Sequence, residues 1–126
     1  MSQDDELSKF VERYRAALGD GPRALAELYA EPCVSAQAGT VRVHPTRADI
    51  EQRAAQIDAG YRTRGFTHAD LLTMSLQRLS ADSALAIVRW AYKGACEELL
   101  WTTTCSYEFY RYEGAWKIVV ETVHDA

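Results

Sequence analysis

Three histidines, His44, His68 and His124, are the only side chains of this sequence whose ordinary pKa allows proton transfer near neutrality. They fall at a strand end, a strand start and the C-terminal tail, where histidines commonly face solvent. His124 is the strongest candidate base, because it continues the alternation Trp116, Ile118, Val120, Thr122 expected to face inward. Histidines so far apart lack the spacing of a metal site, and none is expected. Cys33, Cys96 and Cys105 are odd in number and widely separated, which gives neither a disulfide framework nor a zinc site and leaves buried or idle thiols. Tyr14 offers different chemistry, since a buried phenol can stabilise negative charge on a carbonyl. It also lies in an apolar stripe, where it would serve as an aromatic anchor with its hydroxyl at a cavity rim or on a backbone acceptor. Gly-rich phosphate loops, Gly-x-Ser-x-Gly elbows and His-Glu-x-x-His helices are missing from the sequence, and no cofactor is expected.

The 126 residues make one domain, 1–126. With 48% hydrophobic and 25% charged residues the chain has globular proportions, and disorder is not expected. A net charge of -4 without a basic run removes the electrostatic footprint of a nucleic-acid binder. There is no apolar stretch of membrane-spanning length, and the start MSQDDELSK is acidic where a secretory signal is basic and then apolar, so a cytoplasmic protein is expected.

Periodicity supplies the scaffold. Asp4 and Asp5 offer an N-cap, after which Leu7, Phe10, Val11, Tyr14 and Leu18 form one helical face ending at Gly19-Asp20-Gly21. Pro22 suits a first helical position, and Leu25, Leu28 and Tyr29 predict a short second helix closed by Pro32. Cys33 to Val43, broken at Gly39, reads as two short strands. Thr46 and Asp49 start a third helix with the stripe Ile50, Ala54, Ile57 and Tyr61, which Gly65 ends. From Thr67 the period changes to two, with Leu72, Met74 and Leu76 alternating. The strands Ala84 to Lys93, Leu99 to Tyr112 and Trp116 to Val123 follow, separated by turns. The apolar face of such a meander must be covered, and only the helices can do it. The fold class is therefore α+β, with three N-terminal helices packed on a curved, mostly antiparallel sheet in the form of a cone.

This order of elements, with Arg13-Tyr14, the run Leu25-Ala26-Glu27-Leu28-Tyr29-Ala30 and the ending Tyr112-Glu113-Gly114-Ala115-Trp116-Lys117-Ile118, resembles the nuclear transport factor 2-like superfamily. That group includes the ketosteroid isomerases and the SnoaL-like polyketide cyclases. The resemblance implies a conical cavity between sheet and helices. In the isomerase branch a Tyr following Arg on the first helix donates to the developing enolate, a role that would fall to Tyr14. A protonated acid on the penultimate strand donates the second bond, and counting back from Lys117-Ile118 puts Glu108 there. The branch's proton-shuttling Asp corresponds to Gln37, which is no base, so isomerase chemistry of that kind is not implied. The alternation Trp101, Thr103, Cys105, Tyr107, Phe109 selects the opposite parity for Glu108, placing it outside beside a basic neighbour such as Arg89. Inward, its desolvated carboxyl would be a proton donor.

Eight aromatics fall between residues 90 and 116, so both sheet faces are expected to carry them, half in the core and half in a sheet-to-sheet homodimer interface. The leading expectation is a small-molecule-binding domain holding an apolar or aromatic ligand among Tyr14, Tyr61, Trp90, Thr103 and Tyr107, with Cys105 as a further polar contact. The alternative is a cofactor-independent cyclase, dehydratase or isomerase acting on a carbonyl compound through Tyr14 with Glu108 or His124. A second alternative is a dimeric interaction module whose cavity is filled by side chains.

Overall fold

The computed structural model describes residues 3–124. Helix α1 (Gln3–Asp20) buries the whole expected stripe, Leu7, Phe10, Val11, Tyr14 and Leu18, and turns at Gly21, whose φ of 118° only glycine adopts readily. The helix is already formed at Gln3, so Asp5 stands inside its first turn; the Asp4 side chain lies outside the described residues, as do 1–2 and 125–126. Pro22 opens α2 (Pro22–Ala26), which is shorter than its apolar residues suggest. Leu28 and Tyr29 were expected on that helix, but the Leu28 carbonyl accepts from Ile118 N at 2.9 Å and Tyr29 begins strand β1 (Tyr29–Gln37). Pairing with a distant strand overrides local helical spacing there. Strand β2 (Thr40–His44) and helix α3 (Arg47–Thr63) follow, with Thr46 Oγ1 accepting from Asp49 N as the expected N-cap.

Strands β3 (His68–Arg78), β4 (Ser83–Lys93), β5 (Leu99–Tyr112) and β6 (Ala115–Val123) complete one sheet in the order β2-β1-β6-β5-β4-β3. All neighbours are antiparallel except β1 and β6. The α+β architecture is as expected, with α1 laid against β3 and α3 against β1 and β2. No helix among the described residues is long and apolar enough to cross a membrane.

Two bulges set which side chains face the helices. In β3, Leu71 pairs with Trp90 but Thr73 pairs with Arg89, so Leu72 is the extra residue and stands exposed while Met74 and Leu76 turn inward. In β6, Phe109 faces Ile118 whereas Glu108 faces Val120, which leaves Val119 as the extra residue. Trp116 and Ile118 point inward before the bulge, and Glu121 and Val123 do so after it. The uninterrupted alternation through Val120, Thr122 and His124 is thereby corrected. His124 ends on the outer side, exposed, with Nε2 2.9 Å from Ser106 Oγ.

Of the eight aromatics, Trp90, Tyr92, Tyr107, Phe109 and Trp116 are buried and Trp101 stacks on Tyr92 from the same face. Only Tyr110 and Tyr112 take the outward parity, so the expected even division between the faces does not occur.

Deleting Val119 removes the extra residue and restores strict alternation while Glu108 still faces Val120, so Glu121 keeps pointing toward the helices. We expect this deletion to cost well below the about 3–5 kcal/mol of stripping a buried carboxylate of its partners, because Glu121 keeps its side of the sheet. The midpoint of urea unfolding against wild type measures it.

Candidate functional site

Glu121 is 4% exposed and lies at the floor of a cleft between α3 and the concave sheet face. A carboxylate at that depth requires donors. Three elements supply them: Tyr29 on β1 donates its hydroxyl to Oε1 at 2.8 Å, Arg53 on α3 donates Nη2 to the same oxygen at 2.8 Å, and Tyr14 on α1 donates to Oε2 at 3.0 Å. The two phenol oxygens are 3.2 Å apart. Burial, with Glu121 beside them, pushes the Tyr14 and Tyr29 hydroxyls well above their ordinary pKa of 10. Burial works against the charge on Arg53, but Glu121 outweighs it and the guanidinium is held more firmly protonated. The Arg53 guanidinium also covers the Tyr29 ring at 5.6 Å.

Above this floor the cleft encloses about 1320 Å³, more than the roughly 300–1,000 Å³ of a typical small-molecule pocket. One wall is aromatic. Tyr92 and Trp101 stack at 4.7 Å, and Tyr61 from α3 meets both edge-on at 5.2 and 5.1 Å. Burial raises the Tyr61 pKa to about 12. Tyr92 bonds Thr103 Oγ1 at 2.9 Å, and Thr103 lies 3.6 Å from Cys105 Sγ. The opposite wall is polar, with Gln37, Arg42 and His44 from the β1–β2 hairpin and Gln52 and Gln56 from α3. His44 is 8% exposed and its Nε2 lies 2.9 Å from Ser35 Oγ. Burial, then the charge of Arg53, lowers its pKa below the ordinary 6.5, so the ring is neutral at pH 7. His44, not His124, is the histidine of the cleft.

Tyr14, Tyr61 and Thr103 line this space, whereas Trp90 and Tyr107 do not. Those two are sealed behind Tyr14, whose ring lies 5.6 Å from Trp90 and 5.1 Å from Tyr107, and Trp90 Nε1 donates to Tyr107 at 2.9 Å. They border only packing gaps with no room for a water molecule. The Tyr14 hydroxyl meets a carboxylate rather than a rim or backbone acceptor. Glu108 takes the outward parity opposite Leu85 and Val120, away from Glu121. Arg89 stands opposite Thr104 and donates to Thr104 and Thr102 hydroxyls at 2.9 and 3.0 Å, so the suggested Glu108–Arg89 pair is not formed across the register.

Sequence reasoning missed Glu121, Tyr29 and Arg53. Arg53 carried a signal, since it lies three residues after Ile50 and one turn before Ile57 on the α3 stripe. Elsewhere, His68, Asp70 and Glu97 bring possible metal-ligand atoms within 4.8 Å of one another. Each of the three already has a partner, His68 Nε2 with Glu97 at 2.9 Å and Asp70 with Lys93 at 3.0 Å.

Residues 4–126 match the family described as NTF2-like protein (DUF6841). The chain belongs to this NTF2-like family. No curated protein matches it. Among solved structures, an NTF2-like protein of unknown function from Shewanella oneidensis superposes with a TM-score of 0.78 at 16% identity, over 98% of this chain and 100% of the other. One from Pseudomonas putida gives 0.77 at 16% identity over 100% and 89%, and one from Cytophaga hutchinsonii 0.71 at 15% identity over the whole of both chains. At such identities the likeness establishes the NTF2-like fold alone.

The buried phenols of this NTF2-like protein make a pH prediction. Their folded pKa lies above the unfolded value of 10, so their contribution to stability is complete below pH 10 and declines as pH rises beyond it. In an ultraviolet titration we expect Tyr14, Tyr29 and Tyr107 to ionise only as the protein unfolds. At neutral pH, Tyr14→Phe should cost about 1.5–3 kcal/mol in chemical denaturation, the range for a hydrogen bond to a charged group.

Proposed function

We propose that this protein binds a small molecule whose flat, apolar body lies against Tyr61, Tyr92 and Trp101, with Thr103 as a polar contact and Tyr14 at the floor. The supporting observation is the cleft itself: about 1320 Å³ of space beside a stacked aromatic wall. A module with a filled cavity does not account for that space. The hydrogen bonds weigh against a carbonyl-processing enzyme built on Tyr14. Both phenols direct their protons to Glu121, which leaves neither free to stabilise an enolate, and the candidate partners Glu108 and His124 lie on the outer side.

Tryptophan fluorescence tests the reading, since Trp101 lines the cleft while Trp90 and Trp116 are buried elsewhere. A naphthalene derivative should change the emission of wild type at saturation. Trp101→Phe should bind more weakly but detectably and lose that change. An unaltered response in Trp101→Phe, or no binding to wild type, overturns the proposal.

We also propose that two copies pair through the outer sheet face. Ser75, Ile87, Ser106 and Thr122 form a row across four strands without a charge, and Ile87 at its centre is 46% exposed. Sedimentation should give a dimer mass for wild type and a monomer mass for Ile87→Glu; a wild-type monomer contradicts the pairing.

A further inference from the structure

The charge lining the cleft differs in sign from that of the chain. The whole sequence carries -4, yet the ionised groups around the cleft are Arg42, Arg53 and Arg64 against Asp49 and Glu121. Arg53 and Glu121 neutralise each other at 2.8 Å. Asp49 is engaged at the start of α3, where its Oδ2 accepts from Thr46 Oγ1 at 2.7 Å and the helix N-terminus favours its charge. Arg42 on β2 and Arg64 at the end of α3 are left, and neither has a carboxylate partner within 4.0 Å among the described residues.

Arg64 also rests on an aromatic ring, a contact not found for Arg42 among the described residues. Its guanidinium carbon lies 3.6 Å from the centre of the Trp101 ring, a cation–π contact that fixes the group against the aromatic wall. A guanidinium held over a ring keeps its N–H edge for an acceptor, and that edge matches a carboxylate bidentately. Glu121 offers no counterpart for a cationic ligand, since Oε1 already accepts two hydrogen bonds and Oε2 one. Three arginines against two carboxylates leave the lining of this recessed cleft one charge positive, which raises the local concentration of anions.

We infer that the ligand is an aromatic carboxylate, its ring beside Tyr61 and Trp101 and its anionic group on Arg64, with Arg42 as a second cation on the facing wall. This rests on the reading of the cleft as a ligand site and names the chemical class that site takes.

Calorimetric titration of the purified protein with naphthalene carboxylate and with the neutral, nearly isosteric naphthalene carboxamide separates the two claims. The carboxylate should bind at least tenfold more tightly, and added salt should shrink that margin. Arg64→Gln should remove most of the margin while the carboxamide still binds, and Arg42→Gln should remove less. Binding of the carboxamide to the variants also reports that they are folded. Equal affinities in wild type, or a margin that survives both substitutions, overturn the inference and leave the ligand cleft standing. Failure of both compounds to bind removes the cleft reading and this inference together.

Discussion

The buried carboxylate of Glu121 constrains where the elements around it can lie. Leaving Glu121 without partners would cost several kcal/mol, so the sheet, α1 and α3 must meet where a phenol, a second phenol and a guanidinium can all reach it. Each donor comes from a different element. The three contacts act as a positional lock between layers that apolar packing alone would let slide.

Tyr14 divides the interior on either side of that lock. Behind its ring, Trp90, Tyr107, Phe10 and Phe109 pack into a sealed apolar core. In front of it the space opens toward solvent, one wall aromatic and the other polar. A phenol suits the boundary because its ring belongs to the core and its hydroxyl to the polar floor. The cleft therefore has a rigid base, and its open end is bordered by the less buried Gln37, Arg42 and Arg64.

Much of the scaffold was legible in the sequence because local rules and tertiary packing agree there. The α1 stripe, the Thr46 cap, the limits of β5 and the outward parity of Glu108 each follow from one period or one capping residue. The candidate site was read less well, and the reasons are specific. Alternation carried past Ile118 gives Glu121 the wrong side, because nothing in the β-branched run Ile118-Val119-Val120 marks which residue will bulge. That slip hid Glu121 and favoured His124. Tyr29 looked helical until paired with β6, a contact between residues far apart in the chain. Trp90 and Tyr107 do face inward as their parity requires, but alternation cannot report that Tyr14 stands between them and the cleft.

A double-mutant cycle joining Arg53→Met and Glu121→Leu tests the central claim most directly, with unfolding free energy as the readout. If the buried pair locks α3 to the sheet, each single substitution should cost about 3–5 kcal/mol and the double variant far less than their sum, because two apolar side chains leave no unpaired charge. Single costs below about 1 kcal/mol that simply add would contradict the account, showing that Glu121 and Arg53 are separately solvated and that the floor of the cleft is not built as described.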